Sequence, residues 1–146
     1  ENLGNNIAQL FLNGLTSLTN AQMESLSKDI AILELNGLTS ITEAQARILS
    51  QVKYDLTLDG LTSITDAQVR ILSDIDNTTE ADDLSLNGLM SITDAQAKSL
   101  CNFSGIYLMG LTSLTDAQVE ILSKQKGSCA MPPRLYRRIQ LYQSNE

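Results

Sequence analysis

Five glycines, Gly14, Gly37, Gly60, Gly88 and Gly110, recur at spacings of 23, 23, 28 and 22 residues, and the text around each is nearly the same. Residues 36–51 read NGLTSITEAQARILSQ, and residues 59–74 read DGLTSITDAQVRILSD. The shared pattern is L-x-L-x-G-L-T-S-[IL]-T-[DNE]-A-Q-x-x-x-L-S. A period of this length constrains the fold more than any other property of the chain. One unit is too small to bury its own apolar face, so units must stack on their neighbours to build a continuous core.

Each copy divides into two halves. The first holds an apolar pair at alternate positions: Leu10/Leu12, Leu33/Leu35, Leu56/Leu58, Leu84/Leu86 and Ile106/Leu108. Period-two alternation places each pair on one face of a short strand. The second half opens on Thr-x-x-Gln, as in Thr19/Gln22, Thr42/Gln45, Thr65/Gln68, Thr93/Gln96 and Thr115/Gln118. This is a capping box, in which the Thr oxygen accepts from the third helical N–H and the Gln side chain reaches back. The residue after Thr is mostly acidic, which suits the positive end of a helix dipole. Apolar residues before the Thr (Leu18, Ile41, Ile64, Ile92, Leu114) and within the first turns (Met23, Ala46, Val69, Ala97, Val119) have the spacing of a hydrophobic staple. The helices end near the Leu-Ser pairs. Helices this short need neighbours to persist.

These residues resemble the leucine-rich repeat family. Ile30-x-x-Leu33-x-Leu35-x-x-Leu38-x-x-Ile41-Thr42-Glu43 is similar to its cysteine-containing subtype, and the GLTSLTDAQ…LSKQKG phrasing of residues 110–127 is similar to bacterial arrays. The resemblance implies an α/β leucine-rich-repeat solenoid, with short parallel strands on the concave face and short capped helices on the convex face. It implies an array of about five units over residues 1–127, the first cut in mid-repeat. The chain reads as a fragment or processed product, since Leu3-Gly4 falls where later units have Leu-Ser. One departure stands out. Leu15, Leu38, Leu61, Leu89 and Leu111 occupy the position where the family usually has Asn or Cys. Leucine cannot satisfy turn backbone, so neighbouring hydroxyls such as Thr39-Ser40 are expected to do so.

In a solenoid, function is expected where the units disagree. The outward strand positions read Gln9, Phe11, Asn13; Ile32, Glu34, Asn36; Asp55, Thr57, Asp59; Asp83, Ser85, Asn87; and Gly105, Tyr107, Met109. The middle is acidic and the ends are apolar. The candidate partner-binding residues are therefore Phe11, Ile32, Glu34, Asn36, Asp55, Thr57, Asp59, Asp83, Ser85, Tyr107 and Met109, facing a protein ligand, with a basic or mixed surface the best match. The bland counterpart is a solvated sheet face whose residues have drifted.

The fourth unit carries an insertion, DIDNTTEADD at residues 74–83. An EF-hand requires Gly at its sixth position and Glu at its twelfth. Counted from Asp74 these are Thr79 and Ser85, so that motif fails. A solvated acidic loop is the default, and a non-EF cation site using Asp55 or Asp83 is the rival. Asn77-Thr78-Thr79 and Asn102-Phe103-Ser104 fit the glycosylation triplet, which has meaning only in a eukaryotic secreted protein. Residues 128–146 read as a stunted strand at Cys129-Ala-Met131 followed by a basic amphipathic helix opened by Pro132-Pro133. Leu135, Ile139 and Tyr142 share a helical face there. This tail is expected to cap the array; a docking helix for an acidic surface and a linker are the alternatives. Cys101 and Cys129 lie more than one repeat apart, which favours free thiols over a bridge.

Charge and composition narrow the function classes. The net charge is −7, and it is uneven: residues 1–123 hold 16 acids and 5 bases, whereas residues 124–146 hold 5 bases and one acid. An acidic array repels phosphate backbones, so no nucleic-acid partner is expected. With no His there is no Ser-His or Cys-His pair, and no nucleotide-binding glycine loop occurs. No enzymatic activity, cofactor or metal is expected, and no apolar run reaches the length of a membrane span. Two readings remain: a protein-binding module, or a structural spacer or stalk segment of a larger bacterial surface protein. Both lean toward a secreted or cell-surface setting, and an open solenoid end could self-associate. A spacer should keep the outward row as uniform as its core. The row varies, which favours binding.

Overall fold

The computed structural model describes residues 8–73 and 83–146. In it the repeat becomes a stack of strand–helix units. The strands are β1 (Gln9–Phe11), β2 (Ile32–Glu34), β3 (Asp55–Thr57), β4 (Asp83–Ser85), β5 (Gly105–Tyr107) and β6 (Ser128–Ala130). The helices are α1 (Asn20–Ser27), α2 (Glu43–Leu49), α3 (Asp66–Ser73), α4 (Asp94–Leu100), α5 (Asp116–Ser123) and α6 (Pro133–Ser144). The strands form one open parallel sheet in chain order, β1 to β6. Each helix packs against the next along the chain. The class is α/β, and the arrangement is solenoid-like, with contacts passed from neighbour to neighbour.

The core lies between sheet and helices. Register pairs Leu10 with Leu33, Leu33 with Leu56, Leu56 with Leu84, Leu84 with Ile106, and Ile106 with Cys129, so one apolar rung runs across the sheet. The second leucine of the four later strand signatures, Leu35, Leu58, Leu86 and Leu108, is buried beside it. Val69, Leu72, Ala97, Leu100, Val119 and Leu122 close the core from the helix side. Each fully buried leucine contributes about 1.5–3 kcal/mol relative to exposure.

After each strand the chain reverses in a tight turn, with the N–H of Leu38, Leu61, Leu89 and Leu111 donating to the carbonyl three residues back at 3.2 Å. These leucines point inward and are buried. Glycine is required in four of the turns because the preceding unit lies against it. A Cβ on Gly37, Gly60, Gly88 or Gly110 would collide with backbone oxygens of the previous turn, whereas one on Gly14 would meet nothing within 4 Å.

All five capping boxes form. In the central unit the Thr65 N–H donates to Gln68 Oε1 at 3.0 Å, and the Gln68 N–H donates to Thr65 Oγ1 at 3.1 Å. The same glutamines have a second task. The amide groups of Gln45, Gln68, Gln96 and Gln118 donate to the carbonyls of Leu18, Ile41, Ile64 and Ile92 in the unit before, at 2.6–2.8 Å. One residue type therefore caps its own helix and clamps it to its neighbour.

At the far end β6 pairs with β5, and α6 lies on α5 with Leu135 and Ile139 buried. No further Thr-x-x-Gln follows, and arginine takes its place. Arg138 donates through Nη1 to the Leu114 carbonyl, the position a Gln amide fills in earlier units, and its Nη2 pairs with Asp116 Oδ1 at 2.7 Å. Arg134 donates to the Thr112 carbonyl. Two of the tail's arginines are thus held against the last repeat.

Candidate functional site

The outward side chains of the sheet form three rows across the strands. Gln9, Ile32 and Asp55 are register partners at one end of the strands, and Asp83, Gly105 and Ser128 continue that row. Phe11, Glu34, Thr57, Ser85, Tyr107 and Ala130 form the second row. Asn13, Asn36, Asp59, Asn87 and Met109 form the third, in the turns.

The third row is a hydrogen-bond ladder. The N–H groups of Asn36, Asp59, Asn87 and Met109 donate to the side-chain oxygen of Asn13, Asn36, Asp59 and Asn87 in turn, at 2.8–3.1 Å. This is how the turn backbone is satisfied. The hydroxyl route expected from the Thr-Ser pairs has a single instance among the described residues, Thr112 Oγ1 donating to the Met90 carbonyl at 3.1 Å. The reason is geometric: a side chain just before the glycine points along the sheet at the next unit's N–H.

The ladder changes the roles of several candidate residues. Asn36 and Asp59 are bound within it. Ser85 Oγ donates to Asp59 Oδ1 at 2.6 Å, and Glu34 accepts from Asn13 Nδ2 at 3.1 Å. These four polar groups hold the sheet face together. Ile32, Asp55, Thr57 and Asp83 are half-exposed, and Phe11, Tyr107 and Met109 are exposed. Sequence reading missed the ladder although its signal was present: Asn, Asn, Asp and Asn precede four successive consensus glycines.

Asp55, Thr57, Asp83, Ser85 and Tyr107 line a hollow of about 230 Å³ over the middle of the sheet, floored by Leu56. Asp55 and Asp83 both line the hollow from adjacent strands, each just before the paired Leu56 and Leu84, and like charges gathered at one place are unfavourable without a counter-charge. Among the described residues the three ion pairs are Arg47–Glu43, Lys124–Glu120 and Arg138–Asp116, so neither carboxylate has a cationic partner there. Tyr107 donates its hydroxyl to Asp83 Oδ2 at 3.2 Å. The Asp83 charge, then that hydrogen bond, then burial and the Asp55 charge raise the Tyr107 pKa above its ordinary value. Gly105 makes this packing possible, because a Cβ there would strike the Asp83 carboxylate.

Other candidates sort themselves out. Asp74, Asp76, Asn77 and Glu80 of the insertion lie outside the described residues. Among the described residues no group of three or more His, Cys, Asp or Glu is placed to hold a metal, and no helix is long and apolar enough to cross a membrane. Asn102 is exposed beside the buried Phe103. Cys101 and Cys129 are free thiols. Burial, with a smaller contribution from Cys101, pushes the Cys129 thiol up to about 11, so it is held as the unreactive neutral form at ordinary pH.

A family model described as the GA module matches residues 6–31. From Ala8 on, that segment is β1, α1 and the approach to β2: one strand–helix unit of the stack. The later copies of the repeat lie outside the match. No curated protein matches the chain.

Proposed function

We propose that the chain is a non-enzymatic, leucine-rich-repeat protein-binding module whose strand face is concave and receives a protein ligand. Its centre is acidic and its flanks are apolar, with Phe11 and Ile32 on one side and Tyr107 and Met109 on the other. The observation that carries this reading is that Asp55 and Asp83 share the hollow beside Tyr107 with no cationic partner among the described residues. Two carboxylates and an aromatic face suit one lysine or arginine side chain of the partner, through charge-assisted hydrogen bonds and a cation–π contact. The GA-module match points the same way, since that module is a protein-binding unit of bacterial surface proteins, and it supports a cell-surface setting.

The test is calorimetric titration with short peptides that differ only in carrying Arg, Lys or norleucine at the centre. Asp55→Asn combined with Asp83→Asn should weaken the Arg and Lys peptides at least about tenfold, which is roughly 1.4 kcal/mol, and added salt should weaken them further. Affinity that ignores both the central cation and the two aspartates would overturn the reading. The ladder residues are poor choices for this test, because substituting Asp59 would also loosen the turn.

A second reading rests on the family match. GA modules bind serum albumin. Albumin binding that survives the double aspartate substitution and is lost on changing exposed residues of α1 would place recognition on the first unit. Albumin binding at neither place, with peptides also silent, would leave the spacer reading.

A further inference from the structure

Two methionines interrupt the repeat at places that are otherwise polar. The place of Met109 is taken by Asn13, Asn36, Asp59 and Asn87 in the units before it, and the place of Met90 by Thr16, Thr39, Thr62 and Thr112 in the other units. Both are open to solvent, Met109 at 49% and Met90 at 64%, whereas Met23 and Met131 are buried. They stand in adjacent turns. The Met109 N–H donates to Asn87 Oδ1 at 2.8 Å, and the Met90 carbonyl accepts from the Thr112 N–H at 3.0 Å.

The ladder does not need a polar side chain at position 109. Tyr107 pairs with Ala130, so the residue that follows in register with Met109 is Pro132, which has no N–H for a side-chain oxygen to accept. The ladder ends there, and the side chain at 109 is released from the task its counterparts perform. Methionine suits an exposed contact surface, because its unbranched, polarisable side chain adapts to varied apolar partners.

Met109 lies two residues beyond Tyr107 on the outward side of the same strand, about 6.6 Å further along. Tyr107 lines the hollow with Asp55 and Asp83, so the apolar lip at the end of β5 is continuous with the acidic hollow. An extended segment laid along β5 advances by the same rise, and its side chains at i and i+2 point to one side. Two such side chains reach the hollow and the lip together. β5 is already paired on both edges, with β4 and with β6, so the segment docks through side chains and does not add a strand.

We infer that Met109 and Met90 form a second subsite of the strand face, and that its occupant is an extended segment of a partner protein carrying an arginine or lysine and a large apolar residue separated by one position. The cation enters the hollow between Asp55 and Asp83. The apolar side chain lies over Met109, with Met90 widening the lip from the neighbouring turn. This assignment rests on the reading of the hollow as a cation subsite, and it adds the spacing and the second side chain that a partner must supply.

Calorimetric titration with Gly-Ser host peptides tests it. One pair carries Arg-Ser-Leu or Leu-Ser-Arg, a third carries Arg-Leu at adjacent positions, and a fourth carries Arg alone. The better order of the spaced pair should bind at least about tenfold tighter than the Arg-only peptide, as burial of one leucine side chain allows. The adjacent peptide should gain little, since its leucine points away. Met90→Thr combined with Met109→Asn puts the repeat's own residues back and should melt at the wild-type temperature. It should bring the spaced peptides down to the Arg-only level and leave the Arg-only peptide unchanged. Spaced peptides that bind wild type no better than the Arg-only peptide overturn the subsite and leave the hollow standing. So does a leucine gain that survives the double methionine substitution. Arg-only and Arg-containing peptides that all fail to bind overturn the hollow reading and this assignment with it.

Discussion

Replacing Gly60 by alanine should destabilise the protein by about 3 kcal/mol or more, while the same change at Gly14 should cost nothing. Both glycines hold the same place in the same turn. Neither has a positive φ, so backbone freedom does not distinguish them. What differs is the neighbour. A Cβ on Gly60 would run into the carbonyl oxygens of Asn36 and Leu38, which are backbone atoms held by the ladder and the preceding turn. Relief requires units two and three to move apart, and that would stretch the Asp59 N–H to Asn36 bond of 2.9 Å and open the leucine rung beneath. At Gly14 no earlier turn presses in, and alanine restricts only the unfolded chain, a gain of up to about 1 kcal/mol. Urea unfolding followed by circular dichroism measures both. Equal effects at the two sites would mean that the glycine serves its own turn and not the stack.

The second large effect is expected at the other end. Changing Leu135 and Ile139 together to alanine should cost about 4 kcal/mol or more, because large-to-small changes at buried sites typically cost about 2–5 kcal/mol each. Both side chains are 3% exposed against the last repeat, whose own Leu111, Leu114 and Leu122 are buried beneath β6 and α6. The companion variant Arg138→Met keeps the packing and removes the bonds to Leu114 and Asp116. It should cost less than the double alanine change and more than an ordinary surface substitution. If α6 were only a docking arm, the double variant would unfold within about 1 kcal/mol of wild type.

Much of the architecture is legible in the sequence alone. Leu-x-Leu marked the inner rung, and Thr-x-x-Gln marked where each helix begins, because both signals arise from contacts within one unit. The parts that were not legible arise between units. Gln68 was recognised as a cap, but its bond to the Ile41 carbonyl depends on how closely two helices stack. Asn36 and Asp59 read as recognition residues because their row is polar and outward; only register shows that each side chain meets the next N–H. The Asp55–Asp83–Tyr107 hollow was only partly visible. Its carboxylates and its tyrosine were named, but the role of Gly105 in letting Asp83 approach Tyr107 needs the strands in place. The tail's basic character is legible, but that Arg138 takes the place of the repeat's glutamine is evident only from the Leu114 carbonyl it reaches.

The units hold one another in register, and that leaves the outward strand face free for the recognition proposed above. Native-state hydrogen exchange at the Asp59 and Asn87 amides tests it most directly. If the ladder bonds of 2.9 Å that these amides make to Asn36 and Asp59 tie the stack together, both should exchange only through global unfolding, with the free energy and urea dependence of the whole protein. Exchange at rates typical of an exposed turn, insensitive to urea, would show that the units open singly and would contradict the account.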